Sequence, residues 1–145
     1  MTDERDAEQP ETPEVVLVVD ADVLVRVAVA AYLRECGYKV IEAGGAEEAM
    51  PVLQQPEINV DVVLSEVALG DGLDGFSLAR WIRSNRAQTD VILVATPARA
   101  AEAASDLCEQ GPLLAKPYDH QLLASRIRQL RASRKKNSMR PGEIE

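Results

Sequence analysis

Apolar blocks alternate with stretches of helical periodicity along this chain, and the alternation predicts its elements in order. "VVLVVD" (15–20) opens the series. Its five apolar residues, four of them valine, predict a buried strand ending at Asp20. "DVLVRVAVAAYLRECG" (22–37) follows. Leu24, Val27, Ala28 and Ala31 fall at i, i+3, i+4 and i+7, which predicts one inward helical face. Asp22 is the expected N-cap and Gly37 the expected C′ stop. "YKVIEA" (38–43) is the second strand, and "AEEAMPVLQQ" (46–55) the second helix. Pro51 should end or kink that helix unless it lies in the first turn. "VDVVLSE" (60–66) reads as a strand buried on both faces. "GFSLARWIRSNR" (75–86) is a helix with Leu78 and Ile82 as its inward pair. "DVILVA" (90–95) is the fourth strand, "ARAAEAASDLCEQ" (98–110) an alanine-rich helix, and "PLLA" (112–115) a short fifth strand. "DHQLLASRIRQLRASR" (119–134) is the last helix, with Asp119 as cap and Leu123, Ile127 and Leu130 inward.

Five strands alternating with five helices on short loops mean a parallel sheet with right-handed crossovers and helices on both faces. The expected organisation is an acidic, disordered leader at 1–13, one domain at 14–132, and a basic, disordered tail at 133–145. The fourth helix is only weakly amphipathic, which makes it a candidate mobile or interface helix. Surface helices are also rich in alanine for reasons of propensity alone.

Composition narrows the function classes. The chain has 145 residues, 46% of them hydrophobic, which suits one domain with a full core. A net charge of −8 argues against nucleic-acid binding by the surface as a whole. No apolar run has the length of a membrane span, and "MTDERDAEQPETPE" is no signal peptide, so a reducing cytoplasmic setting is expected. "RASRKK" (131–136), with Arg126 and Arg128 ahead of it, could touch DNA. A helix end complementing its dipole is the preferred reading, and too few residues follow here for a helix-turn-helix output domain. Cys36 and Cys108 lack metal or redox spacing and read as small buried thiols near helix ends. Their helices are expected on opposite sheet faces, so no internal disulfide is expected.

Sites in an open parallel α/β sheet form at the carboxyl ends of the strands. Those ends carry Asp20 and Asp22, then Glu66, then Ala95 and Thr96, then Lys116 and Pro117. The single His120 begins the last helix and reads as an exposed polar residue, so no Cys/His or Ser/His catalytic pair presents itself. "EAGGAEE" lacks the spacing of a phosphate loop. No enzyme activity is expected.

Four stretches then occur in order: "VLVVDADVLVRVAVAAYLRECGYKVIEAGGAEEAM", "DVVLSEVALGDGLDGFSLARWIR", "VILVAT" and "LLAKPYD". Together they resemble the receiver domain of bacterial two-component response regulators over about residues 14–132. The resemblance implies a flavodoxin-like (βα)5 doubly wound parallel sheet of strand order 2-1-3-4-5. It also implies phosphoryl transfer from a histidine kinase to an aspartate, with Mg²⁺, switching the helix 4–strand 5–helix 5 face.

Carried over residue by residue, the resemblance is partial. Asp20 matches the first acid of the family's pair, but the second position is Ala21, and Asp22 comes one place later. The phosphoacceptor falls five residues after the acid that opens the third strand, and counting from Asp61 gives Glu66. Asp61 itself lies at the far end of the strand, while Asp71 and Asp74 lie in the loop beyond. The switch hydroxyl matches Ala95 by strict counting, with Thr96 one place on, and a one-residue slip that lets Thr96 serve stays open. Lys116-Pro117 matches the family's Lys-Pro pair, and the switch aromatic corresponds to Leu113.

Acyl-phosphate formation needs in-line attack by a carboxylate held beside Mg²⁺. The extra methylene of Glu66 moves its oxygens outward by about 1 Å, a displacement that can cost roughly a hundredfold in rate. Ala21 removes a carboxylate that would attract a hard dication, so Mg²⁺ binding is expected to be weakened and no cofactor is required. The expected function is a receiver-like signalling module acting by protein contact. Its expected partners are a histidine kinase, a phosphotransfer protein or another regulator, or a second copy through helix 4–strand 5–helix 5. An ordinary phospho-accepting receiver is the alternative, and a flavin- or nucleotide-binding domain stands behind both. Strands three and five lie roughly 10 Å apart, so Glu66 and Lys116 either pair and hold one state without phosphate, or sit in a pocket that has simply degenerated.

Overall fold

A computed structural model of the chain describes residues 14–70, 74–110, 123–129 and 132. Its elements are β1 (Val15–Val19), α1 (Val23–Glu35), β2 (Lys39–Ala43), α2 (Ala46–Gln54), β3 (Val62–Glu66), α3 (Gly75–Asn85), β4 (Asp90–Val94) and α4 (Pro97–Glu109). A further helical stretch covers 123–129. The strands form one parallel sheet in the order β2-β1-β3-β4. This is the parallel sheet expected from the alternation, in the flavodoxin-like order that the resemblance implies, over four strands. The expected fifth strand at 112–115, with Leu113, Lys116 and Pro117 around it, lies outside the described residues, as do the leader and the tail.

Each strand feeds two cores because successive side chains point to opposite faces. Val16 and Val18 of β1 pack on the side that holds α1, α4 and the 123–129 helix. Leu17 and Val19 pack on the other side, with α2 and α3. Leu78 and Ile82 of α3 and Ile127 of the last helix are fully buried, and Leu123 is buried, in line with the pattern. Leu130 lies outside the described residues.

The inward face of α1 differs from expectation. Val25, Ala28, Val29, Tyr32 and Leu33 are buried, whereas Val27 is 50% exposed and Ala31 faces solvent. This helix is apolar almost all round, so its periodicity fits two faces. The bulk of Tyr32 and Leu33 settles which one turns inward. Asp22 caps the helix as expected, accepting from the Leu24 and Val25 N–H groups, and Gly37 takes a φ of 98° just beyond its end.

Pro51 does not end α2, although it lies past the first turn. It removes one helical hydrogen bond, but the short helix is held by buried Ala46, Ala49 and Leu53 on the far side from Pro51. The fourth helix also departs from expectation. α4 buries Ala100, Ala101, Ala103, Ala104 and Leu107 in the same core as α1 and touches it directly. The two helices therefore share a sheet face, and Cys36 and Cys108 form a disulfide with their Cα atoms 5.4 Å apart. The opposite-face expectation is overturned by the position of α4. The cysteines are nonetheless buried near helix ends, as expected.

Candidate functional site

Three segments converge at the carboxyl edge of the sheet. β1 ends at Val19 and hands over to Asp20, Ala21 and Asp22. β3 ends on Glu66, and β4 ends at Val94, followed by Ala95, Thr96 and Pro97. Val19 pairs with Ser65 and Glu66 with Val94, so the parallel register places Asp20 beside Glu66. Asp20, Ala21, Asp22, Glu66, Ala95 and Thr96 line one cavity of about 400 Å³. Every sequence-predicted residue of the site that falls within the described residues is thus brought together. Lys116, Pro117 and Leu113 fall outside them, so the expected Glu66–Lys116 pair does too. Asp61 lies at the opposite end of β3, where its Oδ2 accepts the Val15 N–H at 2.8 Å. Asp74 caps α3 by accepting from the Ser77 N–H, which lowers its pKa. Asp71 lies outside the described residues.

Glu66 turns back across the site. Its Oε1 accepts the Ala21 backbone N–H at 3.0 Å. Its carboxyl also hydrogen-bonds that of Asp20. Two acids in contact cannot both stay ionised cheaply, least of all when one is buried. Asp20 is only 7% exposed. Burial, with the charge and hydrogen bond of Glu66 beside it, pushes its pKa up to about 7. The Asp22 N–H, donating to Asp20 Oδ1 at 2.8 Å, opposes that rise. Asp20 therefore takes up a proton near neutrality.

The neighbouring groups are committed elsewhere. Asp22 Oδ1 caps α1, with the Leu24 N–H at 2.9 Å. Thr96 Oγ1 caps α4 by accepting the Arg99 N–H at 3.1 Å. Ala95 offers no hydroxyl. Among the described residues no group of three or more His, Cys, Asp or Glu side chains could hold a metal ion. With Glu66 on Ala21 and Asp20, and Asp22 on α1, these carboxylates do not fit a Mg²⁺ shell as arranged.

Two residues of the site were not singled out from the sequence. Arg26 donates from Nη1 to the Asp20 carbonyl at 2.9 Å and pairs with Glu42 at 3.4 Å, tying the β1 end to β2. Its place one helical turn beyond Asp22 is the sequence signal that could have marked it. Gly75 lies under the β3 end, where an added Cβ would meet the Glu66 carbonyl oxygen at 2.5 Å. The sequence pattern starts the helix at Gly75 but does not show that this glycine packs on the strand carrying Glu66.

Residues 16–128 match the family model described as the response regulator receiver domain. The chain is 35% identical over 122 residues to the transcriptional regulatory protein AruR of Pseudomonas aeruginosa, covering 79% of this chain and 48% of that protein. It is 41% identical over 70 residues to the two-component response regulator-like protein PRR37 of Oryza sativa, covering 48% of this chain and 9% of that protein. The chain thus spans about half or less of the length of these relatives. Among solved structures, response regulator TrrA from Thermotoga maritima, crystallised with Mg²⁺ and beryllium fluoride, is 27% identical. That match covers 67% of this chain and 79% of TrrA, with a TM-score of 0.53. A response regulator receiver domain protein from Clostridium thermocellum shares the fold at 22% identity, covering 87% of this chain and 99% of that one, with a TM-score of 0.54.

Proposed function

The chain belongs to the response regulator receiver family, and from that premise we propose that it is a signalling module acting by protein contact, with conventional phosphorylation lost. One observation carries the proposal: the Glu66 carboxylate is turned back onto the Ala21 N–H and Asp20. A phosphoacceptor needs a carboxylate oxygen free to attack and a dication beside it. Here the acceptor-position oxygen is hydrogen-bonded, the place of the second acid is alanine, and the Thr96 hydroxyl caps a helix. Glu66 acts as an internal ligand in place of the metal and phosphoryl group. Mg²⁺ binding is correspondingly weak, and the module turns over no substrate of its own.

The surface for contact is offered by exposed apolar side chains on α1 and α3. Val23 and Val27 on α1 and Phe76 at the start of α3 are exposed large apolar residues. They suit a histidine kinase, a phosphotransfer protein or another regulator in the cytoplasm. No described helix is long and apolar enough to cross a membrane.

Titration of the ¹⁵N-labelled chain with beryllium fluoride and Mg²⁺ tests this reading. The amide signals of Ala21, Glu66 and Thr96 are expected to stay in place. Saturable shifts at those residues would establish the other reading, an ordinary receiver that tolerates glutamate.

A further inference from the structure

We propose that the Cys36–Cys108 pair is a redox-operated latch that governs how α4 is held against α1, and through it the mouth of the Glu66 pocket. The inference goes beyond phosphoryl chemistry and does not depend on whether Glu66 accepts a phosphoryl group.

The layout of the two helices is what makes the bond consequential. α1 and α4 are each 13 residues long. Both begin at the pocket: Asp22 and Val25 of the α1 end and Thr96 and Pro97 of the α4 end line it. Both end at the cysteines, since Cys36 is the C-cap of α1 and Cys108 lies in the last turn of α4. A helix of this length spans roughly 20 Å, so the covalent tie fixes the far ends of two rods whose near ends form the pocket wall. The angle between the rods then bears on how their near ends wall the pocket.

The non-covalent side of that pairing is built largely from small side chains on α4. The face α4 turns inward is Ala100, Ala101, Ala103 and Ala104, with Leu107 as its one large side chain. Alanines bury little apolar area each, so the contact is weaker than one built from leucine or isoleucine. A polar tie crosses near the latch, from the Tyr38 hydroxyl to the Leu107 carbonyl. Cutting the disulfide leaves that hydrogen bond together with the packing of Leu107 and the alanines.

Access is through the helix ends. Cys36 and Cys108 are 2% and 7% exposed, so a reductant reaches them only when the last turn of α4 opens. The thiolate of a dithiol reductant attacks one sulfur, forms a mixed disulfide and expels the other cysteine as thiolate, which takes up a proton. The second thiol of the reductant then releases the first cysteine and leaves as the cyclic or protein disulfide. The net change is two electrons and two protons moved onto the cysteines. In a reducing compartment a disulfide of this kind is characteristically a sensing element, not a permanent brace.

The test uses the full chain, oxidised with diamide or reduced with dithiothreitol. The oxidised form should titrate no free thiols and run as a monomer, and the reduced form should titrate both. Amide hydrogen exchange over 97–109 should be about tenfold or more faster in the reduced form, while β1 and β3 exchange unchanged. The Thr96 and Ala21 amide signals should also shift between the two forms. Cys108→Ala and Cys36→Ser should each behave as the reduced form and ignore the oxidant. An oxidised chain that keeps both thiols free, or crosslinks only between molecules, would overturn the proposal. So would equal α4 exchange in the two redox states.

Discussion

Glutamate exceeds aspartate by one methylene, and in this pocket that methylene lets the carboxylate reach back to the neighbouring strand. From the β3 end, Glu66 Oε1 meets the Ala21 N–H, and its carboxyl meets Asp20. The two departures from the family pattern therefore meet in one hydrogen bond, from the Ala21 backbone to the Glu66 carboxylate. The raised pKa of Asp20 has a definite sign in stability. Unfolded Asp20 titrates near 3.8 and folded Asp20 near 7, so between those values the folded chain binds more protons than the unfolded one. Its protonated form is fully favourable below the lower value, and stability is lost as pH rises to the upper one. Asp20→Asn keeps an oxygen for the Asp22 N–H and cannot ionise. It is expected to be more stable than the parent at pH 8, by on the order of 2–4 kcal/mol, with the difference vanishing toward pH 4. Urea unfolding at the two pH values reads this out; a parent whose stability is flat across that window would contradict it. At this scale the sequence shows which residues meet, since counting from Asp61 lands on Glu66 opposite Asp20. It does not show where the carboxylate points, because side-chain torsions depend on neighbours from other strands.

The elements around the pocket are short, and their junctions carry the geometry. α3 begins directly on the β3 end: the Gly75 N–H donates to the Val67 carbonyl at 2.7 Å, and no Cβ fits against the Glu66 carbonyl. Gly75→Ala must push α3 away from the strand that holds Glu66. We expect a loss of about 1–3 kcal/mol in urea unfolding, together with a shifted Ala21 amide signal as Glu66 is displaced. A fully stable variant with an unmoved Ala21 signal would mean that the junction does not position Glu66. Element order and type were legible because the strands are compact apolar runs and helices such as α1 carry their own cap and stop. The inward face of α1 was not legible, since Val23, Leu24, Val25, Val27 and Val29 leave few polar positions to mark the outside. Nor was the disulfide, which depends on the sheet face that α4 takes, a property of packing with no local signature.

For the molecule as a whole, the alternation along the chain and the four matching stretches pointed to the receiver family, and the parallel sheet and the family match agree. The same scaffold positions its strand ends as a receiver does, yet its carboxylates bond to one another and to the backbone. On the function proposed above, a receiver built this way sends its signal through which partner it touches and when, not through a phosphoryl group that comes and goes. That claim meets its most direct test in the intact mass of the full chain after incubation with acetyl phosphate and Mg²⁺. The account predicts an unchanged mass, for the native chain and for Ala21→Asp alike, as long as Glu66 is in place. A stoichiometric gain of one phosphoryl group by the native chain, lost in Glu66→Gln, would contradict it.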